Sequence, residues 1–101
     1  MQRQYDVLCV GQLCADILVR PVNETIFQVD STPVESMMLW PGGDAQNESC
    51  VMAKLGMKTA LLGKIGHDLW GDAIVDIVEK SGVDLSHLVR DKNIQTCTSI
   101  A

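Results

Sequence analysis

A chain of 101 residues, 47% hydrophobic and 21% charged, has room for one modest domain, and its composition excludes intrinsic disorder. Its formal net charge of -5 comes with no Lys/Arg cluster or basic stripe, which argues against a nucleic-acid partner. The apolar runs are too short to cross a membrane and Met1 to Asp6 is too polar to open a signal peptide, so a soluble cytoplasmic protein is expected.

Tyr5 to Gly11 (YDVLCVG) is a nearly continuous apolar run, which predicts a strand buried on both faces within a parallel sheet. Asp16 to Val19 and Val34 to Trp40 read as two further strands. The polar stretch between them carries the turn-formers Pro21, Asn23, Asp30 and Pro33. Pro41-Gly42-Gly43 then leads into a helix predicted over about Asp44 to Leu55, stopped by Gly56. Lys58 to Ile65 is the next predicted strand. Gly66 and His67 turn the chain, and Asp68 is a fitting N-cap. Trp70, Ala73, Ile74, Ile77 and Val78 recur at helical spacing and form the clearest amphipathic stripe in the chain, which Gly82 ends. Val83 to Arg90 predicts a loop and a short strand, and Thr96 to Ala101 begins another strand. This succession predicts an α/β fold with right-handed crossovers. The chain stops inside a strand-like run, so it is expected to be a piece of a longer protein or one segment of a larger fold.

Cys9, Cys14, Cys50 and Cys97 form no CxxC pair and show no ligand spacing to His67 or His87. Reduced cysteines acting as small hydrophobes are expected, with no metal site among them. The histidines are expected to be structural.

Chemistry enters at Gly42-Gly43-Asp44-Ala45-Gln46-Asn47, between a strand and a helix start. Paired glycines let the backbone approach a ligand, and a helix N-terminus offers free N–H groups to oxygen-rich molecules. Asn47 presents an amide that both donates and accepts. Asp16 follows the first predicted strand, at the carboxyl end where open α/β sheets bind ligands. Two readings fit this pattern equally on spacing alone: a hydroxyl-binding site, or a plain turn with a solvated aspartate. Phosphate-loop readings fail, because Gly56 and Gly63-Lys64 miss the GxxxxGK[ST] spacing and no GxGxxG occurs.

Gly42 to Ser49, then Leu55-Gly56, then Gly63-Lys64-Ile65-Gly66-His67-Asp68 through Gly71, is similar throughout to the N-terminal signature of pfkB-type (ribokinase-type) carbohydrate kinases. Val10-Gly11 and Ala15-Asp16 resemble the same family's first strand and sugar-contacting aspartate, and the similarity runs from about Tyr5 to Ala101 in the family's order. The resemblance implies a ribokinase-like α/β fold, a parallel sheet flanked by helices with a small β lid, of which residues 1–101 form the N-terminal part. Lid strands are implied near residues 16–19, 34–40 and 96–101. Asp16, Gly42, Gly43 and Asn47 are implied to hold the sugar, and the lid is implied as a contact with a second copy. ATP and Mg2+ are implied as well, with the nucleotide-binding and catalytic part outside these residues. The family's Gly-Ala-Gly-Asp segment, which carries the general base, does not occur in the chain.

Two departures bear on the substrate. Cys14 stands where ribokinase-like members have Asn, and Asp44-Ala45 stands where ribokinase has Lys-Gly, so the sugar stays open. The implied activity is ATP-dependent phosphorylation of a sugar or nucleoside hydroxymethyl group, with this chain inactive by itself. The alternative is a non-catalytic sugar-binding or dimerisation module derived from such a kinase.

Overall fold

The computed structural model describes residues 4–101; Met1 to Arg3, half of the polar start, lie outside them. The elements run β1 (Val7–Val10), β2 (Cys14–Arg20), a short 3-10 helix (Glu24–Gln28), β3 (Ser36–Gly42), α1 (Asp44–Lys54), β4 (Thr59–Leu62), β5 (Lys64–Gly66), α2 (Leu69–Lys80), β6 (Val89–Asp91) and β7 (Cys97–Ile100). Parallel pairing joins β1 to β4, with Val7 opposite Thr59 and Val10 opposite Leu62. It also joins β5 to β6. A separate three-stranded sheet has the order β3-β2-β7, antiparallel on one side of β2 and parallel on the other.

The two helices are held by local chemistry that the sequence carries. Asp68 caps α2 by accepting from Gly71 N at 2.8 Å. Behind α1, Gly56 at φ +89° lets Gly56 N donate to Ala53 O and Met57 N to Met52 O, the paired bonds of a Schellman stop. The predicted stripe of α2 faces inward, with Ile74 and Val78 fully buried and Trp70, Ala73 and Ile77 half-buried. Ile74 and Val78 join Cys9, Leu13, Ala15, Ala45, Leu61, Ile65 and Val83 in one core, with Trp70 packed against it. That core ties both helices to β1, β4 and the end of β2 nearest the glycines.

Three expectations change. Burial on both faces does not hold for β1: Cys9 lies in the core, whereas Leu8 (54%) and Val10 (65%) are exposed. Successive side chains point to opposite faces, and no described residue covers the second one. The predicted strand over Lys58 to Ile65 is two strands, interrupted at Gly63, where a Cβ would overlap the Leu13 side chain and the Gly11 carbonyl. Within the polar stretch, Asn23 Oδ1 accepts from Thr25 N at 2.9 Å and starts the 3-10 helix. No helix among the described residues is long and apolar enough to cross a membrane.

Candidate functional site

The three-stranded sheet decides which side chains meet. Register sets Asp16 opposite Trp40 on β3 and opposite Ser99 on β7, and sets Cys14 opposite Gly42 and Cys97. Residues two apart on a strand share a face, so Cys14, Asp16, Gly42, Trp40, Cys97 and Ser99 all lie on one side of the sheet. β3 runs directly into α1, which brings the first turn of that helix to the edge of the same face.

Asp16 is half-buried, and its Oδ1 accepts a hydrogen bond from Ser99 Oγ at 2.7 Å. No nitrogen or oxygen donor among the described residues reaches Oδ2. A Cβ at Gly42 would overlap this carboxylate, so glycine there is a spatial requirement. Gly43 is the N-cap of α1 at φ +97°, and a Cβ there would overlap the Gln12 carbonyl. The paired glycines therefore seat the helix start against β2 and the loop before it.

Asp44 belongs to the same seam. Its Oδ1 accepts from Gln12 N at 3.1 Å and from Ala45 N at 2.7 Å. Those two N–H groups hold its carboxyl below the usual carboxylate range. The negative charge noted beside the glycines is thus neutralised in part by backbone donors at a helix N-terminus. Cys14 is nearly buried, and burial, then the Cys97 thiol, then the Asp16 carboxylate push its thiol up to about 12. It stays protonated at neutral pH.

Asn47 stands apart from Asp16. It lies exposed one turn into α1 and lines a groove of ≈ 280 Å³ with Trp40, Pro41, Gln46 and Cys50. Its side-chain amide makes no hydrogen bond within the described residues, which leaves both its donor and its acceptor for a ligand. Trp40 connects the two places, being the register partner of Asp16 and a wall of the Asn47 groove.

The sequence reading missed Ser99 and Trp40. Nothing local marks either one: each becomes relevant through pairing with β2, and Ser99 lies 83 positions from Asp16. Among the described residues no group of three or more His, Cys, Asp or Glu side chains converges as a metal site, so nothing here is assigned to Mg2+. No phosphate-loop pattern is present to assign to a nucleotide.

Comparison with known proteins bears on the family and the fold. A family model described as "pfkB family carbohydrate kinase" matches residues 4–101. The chain is 33% identical over 96 residues to a 5-dehydro-2-deoxygluconokinase of Geobacillus thermodenitrificans, covering 91% of this chain and 26% of the relative. It is 41% identical over 90 residues to a probable fructokinase-5 of Arabidopsis thaliana, covering 89% and 26%. The structure of Arabidopsis thaliana ribokinase complexed with ribose and ATP superposes with a TM-score of 0.78 at 25% identity, over 93% of this chain and 30% of that one. The chain thus spans about a quarter of the length of the curated relatives it matches. Its fold is ribokinase-like, and the chain belongs to the pfkB family of carbohydrate kinases.

Proposed function

We propose that the whole protein transfers the γ-phosphoryl group of ATP to the hydroxymethyl oxygen of a sugar or nucleoside, and that this chain supplies part of the sugar site and the β lid over it. One observation carries the reading. The Asp16 carboxylate stands on the face of the β3-β2-β7 sheet shared by Cys14, Trp40 and Ser99, with no nitrogen or oxygen donor of the described residues on Oδ2, beside a glycine that leaves it room. A carboxylate so placed accepts from sugar hydroxyls, each charge-assisted bond contributing roughly 1.5–3 kcal/mol. Asn47 adds an amide from the helix side, and Gly42 and Gly43 bring backbone close to the ligand. Phosphoryl transfer depends on positioning and on stabilising charge. These residues position the acceptor, and the 101-residue chain by itself is inactive. The relatives bear the names 5-dehydro-2-deoxygluconokinase and probable fructokinase-5, which supports a sugar acceptor.

The opposite face of the lid is apolar. Val19, Val22, Ile26, Phe27 and Ile100 line a groove of ≈ 530 Å³, with Phe27 91% exposed. This supports a contact with a second copy through the lid. Sedimentation that finds only monomer at high concentration removes that part of the proposal.

The activity is tested by ADP release from the whole protein with a panel of ketoses, aldoses, keto-deoxy sugar acids and nucleosides. Sugar-dependent turnover with ATP is expected. A protein that binds a sugar on the panel yet never consumes ATP favours the binding module instead.

A further inference from the structure

Cys14 and Cys97 meet across the β2-β7 seam with their sulfurs 3.1 Å apart. They are direct register partners, and adjacent strands stand ~4.8 Å apart, inside the ~4.4–6.8 Å Cα range that a disulfide spans. Closing the bond needs an approach of only ~1 Å by the two sulfurs. The pair is asymmetric: Cys14 is 7% exposed, whereas Cys97 is open to solvent. Gln12 Nε2 donates to the Cys97 sulfur at 3.4 Å and holds it beside Cys14. The other cysteines lie elsewhere, Cys9 in the core and Cys50 on α1, where it accepts from Gln46 Nε2 at 3.1 Å.

We propose that Cys14 and Cys97 are a reversible thiol-oxidation site, closed by hydrogen peroxide into a disulfide that weakens sugar binding at the neighbouring Asp16. The Cys97 thiolate attacks the peroxide oxygen and breaks the O–O bond, giving a sulfenic acid and hydroxide, which takes up a proton to leave as water. The Cys14 thiol then attacks the Cys97 sulfur, forms the S–S bond and gives its proton to the departing hydroxide, which leaves as a second water. Two thiols lose two electrons and the peroxide gains them; a dithiol reverses the change. Cys14 is two residues from Asp16, and Cys97 is two residues from Ser99, on the same face. Closing the link fixes β7 to β2 and holds Ser99 against Asp16, where its hydroxyl competes with sugar hydroxyls for the same carboxylate. This last step rests on the substrate-site reading above; the covalent step does not.

The test treats the full chain with hydrogen peroxide, alkylates the remaining thiols under denaturing conditions, and maps the peptides by mass. Loss of two hydrogens and a link between the Cys14 and Cys97 peptides are expected, absent in Cys97→Ser and retained in Cys50→Ser. Four alkylatable thiols, a link through Cys9 or Cys50, or Cys97 found only as sulfinic acid would overturn the proposal. Sugar titrations of the whole protein supply the second readout, with the best sugar of the panel. Oxidation is expected to weaken binding by about three- to tenfold, restored by dithiothreitol and not seen in Cys97→Ser. A formed link with unchanged affinity overturns the coupling to Asp16. A reduced protein that binds no sugar overturns the substrate reading instead, and the peptide map still decides the thiol chemistry.

Discussion

Gly42 shows how one position serves two neighbours. It ends β3 opposite Cys14, and the space where its Cβ would stand is taken by the Asp16 carboxylate. Replacing it with alanine forces that carboxylate aside. Another carboxylate, far from this site, sets the acid behaviour. Asp84 accepts from the Tyr5 hydroxyl and from Ser86 N at 2.8 Å, and these bonds lower it from an ordinary 3.8 to about 2. Asp68 is lowered in the same direction by the Thr96 hydroxyl and N–H. A folded-state value below the unfolded one gives stability that is fully present above the unfolded value and lost as pH falls through the folded one. The chain is therefore expected to lose stability between pH 3.8 and about 2 through Asp84. Urea unfolding of Asp84→Asn should show a smaller loss across that window than the parent, along with lower stability at neutral pH. An unchanged acid limb would show that the Tyr5–Asp84 pair does not form.

At the level of elements, α2 is the piece whose sequence and packing agree most fully. Its cap, its stripe and its stop are all local, and all appear where the residues predict them. Ile74 is completely buried against the sheet, so Ile74→Asp places an unpaired charge in the core and should cost about 3 kcal/mol or more in urea unfolding. Ile74→Val, which removes one methylene, should cost about 1 kcal/mol. A similar small loss for both would mean that this face is not buried. The strands were less legible for a physical reason. Their bounds depend on partners distant in sequence: β2 starts at Cys14 rather than Asp16 because it pairs with β3 and β7 along that length. The break between β4 and β5 goes with a change of partner, β1 for the first and β6 for the second, which no local pattern records. Exposed Leu8 and Val10 show the limit of reading burial from an apolar run, since the run records what a strand could bury and not which neighbours are present.

For the molecule as a whole, the fold and the glycine motif were legible because both are written in local order and spacing. The composition of the site was legible only in part. Asp16 and the two glycines come together, while Asn47 sits across Trp40 on the helix side. Ser99 enters through the register of β7, which no local pattern encodes. The central claim is that Asp16 and Asn47 grip one sugar from these two sides. Steady-state kinetics of the whole protein, with sugar and ATP both varied, test it most directly in Asp16→Asn and Asn47→Ala. Each variant is expected to lose about ten- to a thousandfold in kcat/KM for the sugar, roughly 1.4–4 kcal/mol, with KM for ATP little changed. The double variant should lose less than the sum, because both residues hold one substrate. Parental sugar kinetics in either single variant would contradict the assignment and leave Gly42-Gly43 as a turn.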